Sequence, residues 1–258
     1  MNGLTYFHKL HGPHQKHIRQ HFKDATSFQG TAPIFDMPLT LVCFTNRCGS
    51  TLLAEYLRLT RNFAGLHEQL NHDVVCNTAA RLGVSRFPDY VAALTENASE
   101  QAKSFGFKAS WDQLLMLLRW NIPAMFTGLN IIHIEREDLV AQAVSFSIAD
   151  QTKKWNSNIK GGDKEPVYDF DDILNRLNGT GFGNKMIRQI CSVHDLNYSY
   201  VVYEELIADP VTTLAQLHAQ LGMALTQFNL GAGKLRKQAG FLNKEFAARF
   251  RQDFIGRL

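Results

Sequence analysis

Cysteine is scarce. The 258 residues hold four, at positions 43, 48, 76 and 191, scattered without the spacing of a metal site. That suits reduced thiols in a cytoplasm better than a disulfide-stapled framework. Long apolar runs are lacking as well. No stretch reaches the roughly 18 residues of a membrane helix, and no basic-then-apolar leader opens the chain, so the expected location is cytoplasmic. With no secretion signal, the glycosylation sequons at Asn97 and Asn178 read as accidental. Excess charge is lacking too: 27 Lys and Arg against 24 Asp and Glu leave a net charge of +3, too mild to argue for a nucleic-acid partner. There is no internal repeat and no low-complexity tract. A composition that is 45% hydrophobic and 20% charged is ordinary for a globular protein, and the length can bury a good core as a single α/β domain.

The most informative stretch that is present is 39–53, LTLVCFTNRCGSTLL. An apolar run breaks into a small polar loop, and a helical pattern follows at once. Strand, tight turn and helix in that order form an anion-binding element, because a helix start carries unpaired N–H groups and the positive end of the dipole. Gly49 permits a backbone conformation that a side chain blocks. Ser50 and Thr51 add hydroxyls, Arg47 adds a bidentate cation, and Cys48 sits among them. A thiol at a helix N-terminus is expected to have a lowered pKa and to be sensitive to alkylation. A nucleoside-triphosphatase loop would carry Lys before its Ser or Thr. Here that Lys is missing, and no second strand ends in an Asp suited to Mg²⁺. The loop therefore suits a phosphate ester whose transfer needs no metal. The plain alternative is an ordinary strand-to-helix turn with Ser50 as N-cap.

A second segment, 129–155, reads LNIIHIEREDLVAQAVSFSIADQTKKW. Its β-branched run predicts a buried strand with Arg136 at the carboxyl end. Glu137 and Asp138 open a helix with favourable negative charge. Ser145 follows Arg136 by nine residues, about two turns into that helix, so the pair can converge on a second phosphate. Gln142 lies one turn before Ser145 on the same face.

With both segments in view, FTNRCGSTLL and HIEREDLVAQAVSFSIADQTKKW, the chain resembles the bacterial trehalose 2-sulfotransferase family, within the wider sulfotransferases. Three further segments agree: FGFKASWDQ is similar to the family's Lys-x-x-Trp stretch, LRKQAGFLNKEFAARF to its basic C-terminal segment, and VYEEL with Asp209-Pro210 to a common strand and helix start. The resemblance implies a P-loop-like α/β fold and 3′-phosphoadenosine 5′-phosphosulfate (PAPS) as donor, with no metal. It implies that Arg47, Cys48, Gly49, Ser50 and Thr51 hold the 5′-phosphosulfate and that Arg136 and Ser145 hold the 3′-phosphate. Arg236 and Lys237 would close over the nucleotide; otherwise they form a solvated basic patch. The acceptor would be a hydroxyl of a carbohydrate or glycolipid, and a homodimer is implied by the resemblance alone.

Sulfuryl transfer resembles phosphoryl transfer, so positioning and cationic stabilisation dominate, and the acceptor hydroxyl must lose a proton. The family's carboxylate, counted from Arg47, falls on Glu68; counted from Ala64-Gly65 it falls on Gln69. His67 is the competing base by analogy with eukaryotic sulfotransferases. Lys108 is expected to stabilise the transferring group, against a role as a surface strand-end lysine. Trp111 is either core or a stacking surface. Gln151 and Trp155 border the acceptor pocket or merely pack a helix end. Two rival functions stay open: an atypical P-loop kinase, and an inactive nucleotide-binding protein of the same fold.

The expected organisation is a polar, His-rich segment over 1–38 and a sulfotransferase domain over 39–258. In the first, His8, His11, His14, His17 and His21 share a helical face, read as a solvated helix without a ligand. In the second, strands over 39–45, 105–109, 130–135 and 198–203 alternate with helices, which implies a parallel sheet flanked by helices. Residues 62–104 read as loops and short helices, 156–168 as a loop, and 170–194 as a helix interrupted near 179–183.

Overall fold

The computed structural model describes residues 9–98, 101–155, 165–225, 228–232 and 240–258. Five strands form one all-parallel sheet in the order β2-β3-β1-β4-β5. They are β1 (Leu39–Cys43), β2 (Phe63–His67), β3 (Ser104–Ala109), β4 (Leu129–Glu135) and β5 (Tyr198–Val202). The α/β expectation holds: a single domain with a parallel sheet flanked by helices. β1 is buried along its whole length. Its alternation divides the interior, because successive side chains point to opposite faces. Leu39, Leu41 and Cys43 join one cluster with Phe105, Phe107 and Leu117. Val42 joins the other with Leu53, Leu57, Ile132 and Ile134.

The helices are α1 (Pro13–Phe22), α2 (Ser50–Leu59), α3 (His72–Leu82), α4 (Phe87–Glu96), α5 (Trp111–Arg119), α6 (Leu139–Thr152), α7 (Phe170–Val193), α8 (Tyr203–Ala208), α9 (Pro210–Gln220) and α10 (Phe241–Ile255). α2 follows β1, α5 follows β3, and α6 follows β4, as a parallel sheet requires. β1 is flanked by β3 on one side and β4 on the other, and the chain crosses β1 between them. The crevice at the β1 tip is therefore the topological switch point, where ligands of open α/β sheets bind.

Three sequence expectations are corrected. Residues 62–104 do not lack a strand: edge strand β2 lies there. FAGLH hides it because the strand is short, contains Gly65 and shifts register between Gly65 and His67. Gly65 and Leu66 both have positive φ, 73° and 57°, and a Cβ on Gly65 would lie 2.4 Å from the Gly106 carbonyl. Only glycine fits that approach. Second, α7 runs unbroken through Gly179, Gly181 and Gly183. Each interior glycine costs about 0.5–1 kcal/mol, but burial of Ile173, Met186, Ile187 and Ile190 anchors both ends of the helix. Third, α1 is not solvated all round. Ile18 and Phe22 enter the cluster that holds Leu39 and Leu41, and His14 Nδ1 lies 2.9 Å from His72 Nδ1 on α3. His8 lies outside the described residues. Among the described residues no group of His, Cys, Asp or Glu is arranged to hold a metal ion.

Burial, reinforced by the nearby Arg188 guanidinium, pushes the pKa of His133 on β4 down to about 3. His133 is therefore neutral at pH 7, and its 3.4 Å approach to Glu135 Oε1 is no ion pair. Below about pH 6.5 the unfolded chain takes up a proton that the folded protein refuses. His14, His67 and His218 are shifted in the same direction. The stability that these neutral imidazoles contribute is thus complete above about pH 6.5 and is lost as the pH drops towards 3. Urea unfolding at pH 7 and pH 5 should show a lower midpoint at pH 5, and His133→Asn should flatten that dependence; an unchanged midpoint contradicts the assignment.

Candidate active site

The turn from β1 into α2 is shaped by two left-handed residues, Arg47 (φ 68°) and Gly49 (φ 93°). Gly49 is the N-cap of α2 and supplies no side chain to its first N–H groups. A Cβ there would lie 2.3 Å from Tyr203 Cδ2, so the Tyr203 ring closes one side of the turn. The Cys48 amide donates to the Thr45 carbonyl at 3.3 Å. Ser50 is buried and Thr51 is exposed at the helix start.

β3 delivers Lys108 to this helix start. Its Nζ donates to Thr51 Oγ1 at 2.8 Å and to Glu68 Oε1 at 2.6 Å, and it lies 4.6 Å from the Phe44 ring centroid. The lysine is 3% exposed. Lys108 reads as a surface lysine in the plain alternative, and that alternative fails. His67, one residue before Glu68, has its pKa lowered by burial and by the cations Arg58 and Lys108. Gln69 does not share the Glu68 arrangement: its Oε1 is buried without a hydrogen-bond partner, and its carbonyl accepts from Tyr90 Oη at 2.6 Å.

The first loop and the Arg136–Ser145 pair meet at one place. Arg47 Nε donates to Ser145 Oγ at 3.0 Å, and Nη1 donates to the Trp155 carbonyl. Burial first, and the neighbouring Arg136 second, lower the Arg47 pKa, so two guanidiniums crowd together. Arg136 Nε is buried without a hydrogen bond; its nearest carboxylate oxygen, Glu204 Oε1, is 3.5 Å away. Its guanidinium lies 5.3 Å from the Tyr203 ring centroid. A guanidinium N–H with an ion-pair partner but no hydrogen bond, beside a second guanidinium at an uncapped helix start, is a chemistry that fits a polyanion.

The side chains of the other expected residues take separate partners. Trp111 packs edge-on to Phe182 at 5.6 Å, half core and half surface. Gln151 uses both ends of its amide on Val167, donating to its carbonyl at 2.9 Å and accepting from its N–H at 2.8 Å. Trp155 stands 38% exposed and edge-on to Phe146. Arg236 and Lys237 lie outside the described residues. Sequence reasoning missed a polar chain behind the loop. Gln142 Nε2 donates to Thr45 Oγ1 and to the Asn46 carbonyl, Thr45 donates to Asn184, Asn184 to Glu135, and Arg188 to Glu135. An acid at the inner end of a buried strand was the available signal, since a buried carboxylate demands a partner.

Cys48 overturns its expectation. It is fully buried, and desolvation raises its pKa despite the Ser50 amide and Lys108. Helix position alone does not activate a thiol that water cannot reach. In the folded protein iodoacetamide should leave Cys48 unmodified and reach only the half-buried Cys76, with all four thiols reacting after unfolding; peptide mass mapping reads this, and fast native modification of Cys48 would refute it.

The Stf0 sulphotransferase family model matches residues 40–253. Among solved structures, the sulfotransferase from Alicyclobacillus acidocaldarius is 13% identical, with 85% of this chain and 93% of that one covered and a TM-score of 0.51. The sulfotransferase domain from the Synechococcus PCC 7002 olefin synthase is 15% identical, covering 87% and 91%, with a TM-score of 0.50. Likeness at that identity concerns the fold. No curated protein matches the chain in sequence. Spanning most of the chain, the family match makes this protein a sulfotransferase of the Stf0 sulphotransferase family.

Proposed function

We propose that this sulfotransferase takes PAPS as donor and sulfates a hydroxyl of a carbohydrate or glycolipid. Trehalose-type sugars are the first acceptor class to test. The observation that carries the reading is the Lys108 ammonium held between Thr51 at the helix start and the Glu68 carboxylate. That geometry sets an anion cradle, a cation and a proton acceptor side by side. The donor supplies an activated sulfuryl group, whose bond to the 5′-phosphate oxygen breaks as the acceptor oxygen attacks in line.

Each residue then has one task. Arg47, Gly49, Ser50 and Thr51 bind the phosphosulfate, with Cys48 contributing its backbone only. Arg136, whose Nε lacks a hydrogen-bond partner, and Ser145 bind the 3′-phosphate. Lys108 neutralises charge that develops on the transferring group, the task of the missing loop lysine. Glu68 accepts the acceptor proton; its side chain is 59% exposed, open to an incoming hydroxyl. His67, Trp111, Gln151 and Trp155 border the acceptor. Arg236 and Lys237, outside the described residues, are assigned to nucleotide binding by the sequence resemblance alone. The step needs no metal, because Lys108 supplies the cation. A cytoplasmic homodimer completes the proposal. No described helix is long and apolar enough to cross a membrane.

Glu68→Gln should lower turnover by roughly 10²–10⁴-fold, the usual worth of a general base. Affinity for adenosine 3′,5′-bisphosphate should stay at its wild-type value. Chromatographic release of that product from PAPS, with a panel of sugar acceptors, measures the first. Wild-type turnover in Glu68→Gln together with loss in His67→Ala would move the base to His67.

A further inference from the structure

One partly buried hydrogen-bond chain behind the loop has its direction forced from one end. Arg188 Nε and Nη2 both donate to Glu135 Oε1, at 2.9 and 2.6 Å, and Glu135 is buried. An ionised carboxylate only accepts, so Asn184 must turn its NH₂ towards Glu135 Oε2, 3.1 Å away. Its Oδ1 then faces Thr45, whose hydroxyl donates to it at 3.0 Å. With that proton committed, Thr45 Oγ1 can only accept from Gln142. Gln142 Nε2 accordingly lies 3.0 Å from Thr45 Oγ1 and 2.8 Å from the Asn46 carbonyl. Gln142 Oε1 is left buried without a partner. The amide holds this sense because reversing it would bring its oxygen against the Asn46 carbonyl.

The consequence reaches the anion site. In a trans peptide the C=O and the following N–H point in opposite directions. Tying the Asn46 carbonyl to Gln142 therefore fixes the direction of the Arg47 N–H, at a residue already held at φ 68°. α7 comes close enough to take part only because Gly183 lacks a side chain: a Cβ there would lie 2.7 Å from Thr45 Cγ2.

We propose that Thr45, Gln142 and Asn184, anchored by the Glu135–Arg188 pair, are positioning residues that preset the 5′-phosphosulfate loop before the donor arrives. They act through the loop backbone and touch no reacting atom. The inference rests on the donor reading above.

The test compares two probes by calorimetry, adenosine 3′,5′-bisphosphate and adenosine 3′-monophosphate, whose affinity ratio isolates the 5′-phosphate. Thr45→Val removes the hydroxyl, and Thr45→Ser restores it. Thr45→Val should lose about tenfold of the bisphosphate affinity, the scale of one hydrogen bond to a loop that binds charge, with monophosphate affinity unchanged. Thr45→Ser should keep the wild-type ratio, and Asn184→Ala, on another element, should repeat the selective loss if Thr45→Val does not fold. An unchanged ratio in Thr45→Val or Asn184→Ala, or equal weakening of both probes, overturns the positioning role while leaving the donor reading in place. A wild-type protein that binds neither probe overturns both.

Discussion

A lysine ammonium buried at a sheet tip must be paired, because removing a charge from water costs several kcal/mol unless partners replace the hydration. Lys108, 3% exposed, meets that constraint with Thr51 Oγ1, Glu68 Oε1 and the Phe44 ring. Its partners come from the start of α2, the residue after β2 and the residue after β1. One side chain thus holds three segments at the crevice where the sheet order turns from β3 to β4. The loop of this protein has no lysine of its own, and the neighbouring strand supplies one at the same helix start.

The same economy governs the electrostatics. A net charge of +3 spread over 258 residues would steer little. What matters is local: Arg136 disfavours the charge on Arg47, and Lys108 stands at the other side of the turn. Glu204, 3.5 Å from Arg136, and Glu68, 2.6 Å from Lys108, offset part of that charge, and a further anion offsets more. A polyanionic ligand is therefore both bound and able to stabilise the fold that binds it.

Legibility in the sequence followed the range of each interaction. β1, β4 and the helices after them were readable because their burial is local and periodic. The Arg136–Ser145 spacing was readable for the same reason, a helix following a strand. β2 was hidden by Gly65, whose contact is with Gly106, 41 positions along. The continuity of α7 was hidden because helix propensity counts its glycines as breaks, whereas packing with α6 and the loop decides the outcome. The Glu135–Asn184–Thr45–Gln142 chain joins three distant segments, and its one local trace is the acid at the end of β4. Cys48 was misread because the helix dipole is a first-turn effect visible in sequence, while burial, which reverses it, is a property of the whole fold.

The central claim is that this crevice is built for a 3′-phosphorylated adenine nucleotide. Calorimetric titration with adenosine 3′,5′-bisphosphate in the absence of Mg²⁺, beside ADP and ATP with and without it, tests this most directly. The account predicts micromolar binding of the bisphosphate, weak ATP, and a loss of at least about tenfold in Arg136→Ala, the worth of a charge-assisted phosphate contact. Preference for ATP with Mg²⁺, or bisphosphate binding indifferent to Arg136, would contradict it.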